Sequence, residues 1–275
     1  MPLGRWAEIE IAATGDDQEL VAALLTERAG CQGFASDAVA VRGYLPVDER
    51  LEGTLLLLRE VSERELTIRF VAEEDWANAW KQHFKPQRIG KHIIIKPSWE
   101  AFVPEPGDLV VEMDPGMAFG TGLHATTRLC LRALEQFVSP GVRVADVGTG
   151  SGILAIAAVL LGAASASATD IDPLAVRISQ ENIERNQLTE RVHAGVSDLP
   201  PTGSFDIVVA NILPDVILAM ADALVAATKP GGLLITSGII ERRAEDVRAG
   251  LVARGLRILT TQTEGEWVAV LARRD

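Results

Sequence analysis

The first chemical signal is a run of ten residues, Val144-Ala-Asp-Val-Gly-Thr-Gly-Ser-Gly-Ile153. An apolar strand runs into Gly148, Gly150 and Gly152, and a helix starts at once. Glycines at such a junction let the backbone turn tightly and come close to a ligand. A tight turn with no ligand uses the same residues, so a second signal matters. It is Thr169-Asp-Ile-Asp-Pro173, where Asp170 stands 22 positions after Gly148. An acid about 20 residues beyond a glycine loop accepts hydrogen bonds from the two ribose hydroxyls of an adenosine. Asp172 suits the N-cap of the next helix, because Pro173 suits its first turn; Asp170 is then left for the ribose.

The spacing narrows the cofactor. A dinucleotide site asks for G-x-G-x-x-G, but here the pattern is G-x-G-x-G and Ile153 stands where the third dinucleotide glycine belongs. No G-K-[ST] loop occurs. With no pyrophosphate to cradle, the pattern suits S-adenosylmethionine, with S-adenosylhomocysteine as product. Gly148 and Gly150 offer the backbone. Asp146 either braces the loop or faces the sulfonium side.

A third signal is Phe205-Asp-Ile-Val-Val-Ala-Asn-Ile-Leu-Pro214, a buried strand ending in a polar residue. Ligands of open α/β sheets sit beyond the carboxyl ends of the strands, where strand order reverses. The amide oxygen of Asn211 can accept from a substrate amine there and aim its lone pair at a methyl group. The other reading of Asn211 is a helix cap. The related N-P-P-[YF] motif carries an aromatic that stacks on a planar base or amide. Asn-Ile-Leu-Pro carries none, which favours an aliphatic amine. Upstream, Met113-Asp-Pro-Gly-Met-Ala-Phe-Gly-Thr-Gly-Leu-His-Ala-Thr-Thr127 is too rich in glycine for a plain linker. It reads as a lid over the methionine end of the cofactor. Phe119 would exclude water and Thr127 would hydrogen-bond there. His124 is either a proton acceptor or a surface residue. No strong general base is visible.

These residues need a scaffold. From residue 141 onward strands and helices alternate, which predicts an α/β, doubly wound, mostly parallel sheet. Seven strands are expected, near 143–148, 165–171, 192–196, 205–212, 232–237, 256–262 and 266–272. The short turn before the last one makes it antiparallel. Residues 1–72 read as a small N-terminal α+β domain, with a helix over 16–29 and strands over 6–11, 38–45, 53–59 and 65–71. Residues 73–90 read as a connector helix and linker, in which Trp76, Trp80 and Phe84 pack the domains together, and residues 91–275 as the catalytic domain.

Composition sets the remaining limits. Lys plus Arg number 26 and Asp plus Glu 38, a formal charge of −12. Proteins that coat nucleic acid carry excess basic charge, so a direct nucleic-acid partner is not expected; an acidic surface attracts a basic one. Cys31 and Cys130 sit in no metal or disulfide pattern. No apolar run is long enough for a membrane span. The expectation is a cytoplasmic monomer.

Four segments together resemble the bacterial ribosomal protein L-eleven methyltransferase family. They are Gly116-Met-Ala-Phe-Gly-Thr-Gly-Leu-His-Ala-Thr-Thr127, Asp146-Val-Gly-Thr-Gly-Ser-Gly-Ile-Leu-Ala-Ile-Ala157, Asp170-Ile-Asp-Pro173 and Ala210-Asn-Ile-Leu213. Asp75-Trp76, Trp80, Phe84-Lys-Pro86 and Glu264-Gly-Glu-Trp267 look alike too, and the likeness covers residues 73–275. The resemblance implies an S-adenosylmethionine-dependent protein N-methyltransferase with a seven-stranded methyltransferase sheet. It implies as substrates the lysine ε-amines and the N-terminal α-amine of one large-subunit ribosomal protein, recognised by the small N-terminal domain. By motif position it places cofactor contacts on Thr127, Gly148, Asp170 and Asn211. The competing expectations are a methyltransferase acting on RNA or on a small-molecule amine, and a cofactor-binding module without turnover.

Overall fold

The computed structural model describes residues 5–14, 18, 21, 24–25, 31, 34–36, 39–47, 51–62, 66–72, 85–113 and 124–275. The chain forms two compact units, Met1–Lys85 and Pro86–Asp275. The aromatic connector at 73–84 and most of the expected lid, with Phe119, lie outside the described residues.

The first unit is a four-stranded antiparallel sheet of β1 (Arg5–Ala12), β2 (Phe34–Ser36), β3 (Ala40–Pro46) and β4 (Leu66–Ala72), in the order β2-β3-β1-β4. A helix α1 (Leu51–Ser62) links β3 to β4, and the described Gln18 and Val21 between β1 and β2 are helical. This strand order with two crossovers is that of a ferredoxin-like split β-α-β. Residues 53–59 were expected as a strand and form α1 instead. The Leu55–Leu58 run fits either state by pattern alone. Leu is a good helix former, and at helical spacing Leu51 and Leu58 enter the core with Leu55 packed against it. Ile9 and Ile11, with Ala7, fill that core from β1.

In the second unit, a small sheet comes first: β5 (Gln87–Ile89) antiparallel to β6 (Ile93–Lys96), and β6 parallel to β7 (Leu109–Glu112). Helix α2 (Ala125–Phe137) is tied to it, because Glu135 accepts from the N–H groups of Lys91 and His92 at 2.7–3.0 Å. Then follow β8 (Arg143–Val147), α3 (Ile153–Leu160), β9 (Ser165–Asp170), α4 (Pro173–Arg185), β10 (Val192–Val196), β11 (Phe205–Asn211), α5 (Pro214–Ala227), β12 (Thr228–Ile240), α6 (Ala244–Val252), β13 (Leu256–Glu264) and β14 (Trp267–Arg274).

The seven strands run β10-β9-β8-β11-β12-β14-β13, all parallel pairs except those of β14, which is antiparallel to both neighbours. The expected doubly wound sheet with an antiparallel last strand is therefore present. Alternate strand residues feed two cores. Val144, Ala166, Ile207, Val209 and Ile235 pack with α2 and α3 on one face. Ala145, Val147, Val208, Ala210 and Leu234 pack with α5 and α6 on the other. Strand order reverses between β8 and β11, which opens a crevice at their carboxyl ends. No helix among the described residues is long and apolar enough to cross a membrane.

Candidate active site

Pairing register brings the signal residues to one edge. Val147 lies beside Thr169 and Ala210, so the next residue of each strand, Gly148, Asp170 and Asn211, emerges there. The glycine loop is held from β9: the N–H groups of Gly148 and Thr149 both donate to the Thr169 carbonyl, at 2.8 and 3.0 Å. Gly150 N–H donates to Asp170 Oδ2 at 2.9 Å, and Asp172 N–H donates to Asp170 Oδ1 at 3.0 Å. An ionised carboxylate has about four acceptor positions, so Asp170 keeps capacity for two more donors. Asp172 caps α4 by accepting from Leu174 N–H at 2.8 Å, with Pro173 in the first turn.

Two glycines of the loop are crowded at the place a side chain would take. Gly148 has φ +72°, and a Cβ there would come within 2.3 Å of Ile212 Cγ2. At Gly152, with φ +84°, a Cβ would press on Ser179, 3.1 Å from its Cβ and 3.3 Å from its Cα. Asn182 of α4 clamps the loop from behind, donating to the Ser151 carbonyl at 2.9 Å in a buried position. Sequence reading missed Asn182, since nothing local marks a helical Asn as a clamp.

Asp146 lies within the apolar row that starts at Val144, and it is fully buried. Its Oδ2 accepts from the Thr149 hydroxyl at 2.7 Å and from Ala155 N–H at 3.2 Å, while Oδ1 has no partner. One oxygen braces the loop and the other is held in reserve. Burial pushes this carboxyl up to about 7; the Thr149 and Ala155 hydrogen bonds oppose the rise and the charge of Asp170 adds to it. Because the folded-state value lies above the ordinary one, the proton favours the folded chain. That stabilisation is complete below about pH 4 and is lost as pH rises through about 7. Asp146→Asn keeps an acceptor for Thr149 without a titrating charge. Between about pH 6 and 8.5 the wild-type thermal midpoint should fall relative to the variant by roughly 2–4 °C or more, the equivalent of about 1 kcal/mol in a chain of this size. Parallel pH profiles in calorimetric scans would show that Asp146 ionises as an ordinary carboxylate.

Asn211 is no helix cap: Leu213 occupies the N-cap of α5. Instead, Asn211 Nδ2 donates a stretched 3.4 Å hydrogen bond to Thr127 Oγ1, and Oδ1 is buried without a partner. Thr127 therefore meets Asn211 from the first turn of α2. His124 is the N-cap of α2, with Nδ1 2.7 Å from Thr126 Oγ1 and its ring edge-on to Trp267 at 4.7 Å. Burial first, and the charge of Arg128 second, lower it to about 4 against the opposing pull of Glu264, so it is a neutral capping group near pH 7. Glu264 ties the β13–β14 turn to α2 by accepting from Arg128 and Arg132.

Among the described residues, four buried side-chain polar atoms lack a hydrogen-bond partner: Asp146 Oδ1, Thr169 Oγ1, Asn211 Oδ1 and Trp267 Nε1. Folded proteins satisfy nearly all such atoms, and unsatisfied ones call for an explanation. All four lie at the same sheet edge: the first three near the carboxyl ends of β8, β9 and β11, the last at the start of antiparallel β14, beside Ile240 at the end of β12. Ile171, 73% exposed directly after Asp170, adds an apolar surface. Sequence reading passed over it, although an isoleucine between two acids was the available signal. The edge thus combines acceptors, bare backbone and an apolar patch, a lining suited to an adenosine-bearing, positively charged ligand. No group of three or more His, Cys, Asp or Glu among the described residues could hold a metal ion.

Comparison with known proteins identifies the family. The profile of the family described as ribosomal protein L11 methyltransferase (PrmA) matches residues 35–275. A relative of that name from Pelotomaculum thermopropionicum is 51% identical over 242 residues, covering 85% of this chain and 79% of its own. Another, from Geobacter metallireducens, is 44% identical over 293 residues and covers 97% of both chains. The crystal structure of a ribosomal protein L11 methylase from Lactobacillus delbrueckii subsp. bulgaricus is 31% identical and superposes with a TM-score of 0.64, over 70% of this chain and 99% of that one. The chain belongs to the ribosomal protein L11 methyltransferase family of S-adenosylmethionine-dependent protein methyltransferases.

Proposed function

We propose that this chain methylates amine nitrogens of ribosomal protein L11, the substrate for which its relatives are named: lysine ε-amines and the N-terminal α-amine. The observation that carries the amine chemistry is the buried, unpartnered Oδ1 of Asn211, whose amide nitrogen is turned to Thr127. An oxygen held that way accepts one N–H of an incoming amine and points the nitrogen lone pair into the crevice. Positioning of this kind can supply much of the barrier reduction in a displacement reaction. A free lysine is protonated near neutral pH and must shed a proton before it can attack. Desolvation lowers an amine pKa, and Leu213, 56% exposed two residues after Asn211, offers an apolar surface close by.

When bound, S-adenosylmethionine supplies an activated methyl group on sulfur and departs as S-adenosylhomocysteine. Asp170 would hold the ribose hydroxyls with its remaining acceptor positions. The backbone at Gly148 and Gly150 lets the ligand close in, Ile171 would cover the adenine, and Phe119 would shield the methyl from water. The negative surface charge suits a lysine-rich partner met as a protein rather than through RNA, by a monomeric cytoplasmic enzyme whose first 72 residues recognise the substrate. Purified L11 incubated with the enzyme and S-adenosylmethionine should gain whole methyl increments in intact-mass spectra. Methyl transfer to ribosomal RNA with none to L11 would overturn this reading.

A further inference from the structure

Asn211 is the last residue of β11, and the residue after it is held in an unusual way. Ile212 is wedged between two glycines of positive φ. On one side lies Gly148 of the cofactor loop, where a Cβ would meet Ile212 Cγ2 at 2.3 Å. On the other lies Gly238 of β12, at φ +82°, where a Cβ would stand 2.4 Å from the Ile212 carbonyl oxygen and 2.9 Å from its carbon. The second contact is with backbone, so no rotamer change relieves it. Ile212 N–H also donates to the Ser237 carbonyl at 3.2 Å.

The seat for Ile212 is a bulge. Between Thr236 and Ile239, β12 advances three residues while its partner β14 advances from Val270 to Val268, so one extra residue is inserted. A glycine in the left-handed region at an inserted residue is a recognised bulge form, and bulges re-aim neighbouring chain next to active sites. The hydroxyls of Thr236 and Ser237 donate to the carbonyls of Val270 and Val268 at 3.3 and 3.1 Å. Both are buried, which locks the bulge in place.

We propose that the Gly238 bulge and Ile212 are positioning residues for the transfer: together they set the distance between the cofactor loop and the amide of Asn211. The proposal rests on the role of Asn211 given above. A Cβ on residue 238 must push the Ile212 peptide away, and with it the end of β11. A misplacement of about 1 Å at a reacting centre can cost on the order of 100-fold in rate.

The test compares Gly238→Ala with Gly255→Ala. Gly255 has nearly the same backbone, φ +80°, but nothing lies within 4 Å of its Cβ position, so it reports positive-φ strain alone. The full chain is assayed for kcat on L11 and for S-adenosylhomocysteine affinity by calorimetry. Gly238→Ala should lower kcat at least about tenfold with affinity changed less than about threefold, while Gly255→Ala retains wild-type kcat. Equal kcat in the two variants overturns the proposal. Should Gly238→Ala fail to fold, Ile212→Ala takes its place: a fall in kcat exceeding any loss of affinity supports the role, and an unchanged kcat overturns it. Loss of turnover in Asn211→Ala without loss in the Gly238 variant overturns the positioning role alone. Full turnover in Asn211→Ala overturns the reading of the amine site and this proposal with it.

Discussion

Asn211→Ala should lower methyl transfer to L11 by about 100-fold or more while S-adenosylhomocysteine affinity stays within a few-fold. The substitution removes the one carboxamide oxygen at the end of β11 that is buried without a partner. An amine entering the crevice would then rotate freely, and orientation is a large part of what an enzyme contributes to a displacement on an already activated methyl group. The loss belongs in kcat, because the group acts on the geometry of attack more than on cofactor retention. Asn211→Asp is the informative companion. It keeps an acceptor but places a carboxylate beside Thr127, which would hold the amine protonated and shift the pH–rate profile upward. Wild-type kcat in Asn211→Ala, with L11 saturating, would remove Asn211 from the transfer step.

Asp170→Ala should weaken S-adenosylhomocysteine binding by about 1–3 kcal/mol, roughly 5- to 150-fold, the usual range for hydrogen bonds to a charged group. Two effects contribute. The ribose loses its acceptors, and the Gly150 N–H loses the oxygen that now holds it at 2.9 Å. A 2′-deoxy analogue of the ligand separates them. Wild type should bind the analogue more weakly than S-adenosylhomocysteine, whereas the variant should bind the two alike. Unchanged calorimetric affinity in Asp170→Ala would end the ribose assignment; loss of affinity without loss of discrimination would reassign Asp170 to loop support alone.

The contrast between these two residues shows which parts of the site were legible. Asp170 could be read from spacing, because a strand, a glycine turn and a helix of ordinary length return the chain to the same sheet edge after about 20 residues. Asn211 could be read as the polar end of an apolar strand, though its competing role as a cap was excluded only when Leu213 was found in that position. The strand-and-helix alternation of the second unit was legible chiefly because its central strands, β8, β11, β12 and β14, are mostly buried on both faces and read as short apolar runs. The helix at Leu51–Ser62 was not. Four consecutive leucines have no period, and only the sheet beside them decides which ones turn inward. The strand at Leu109–Glu112 was also missed, since four residues are too few to show alternation.

By itself, then, the amino-acid sequence determined the backbone chemistry: where glycine allows a turn that no other residue takes, where an acid follows it, and which strand ends in an amide. These are local properties, carried by neighbours within one strand, turn or helix. Tertiary structure decided everything that depends on register between distant segments. It brought Thr127 to Asn211 across 84 positions and Glu264 to Arg128 across 136. It made His124 a partly buried cap and left one oxygen of Asp146 unpartnered. It also seated Ile212 between Gly148 and Gly238. A single inserted residue in β12 sets that last contact, and its meaning exists only relative to the strand beside it, because a bulge is a mismatch between two strands and not a property of either one.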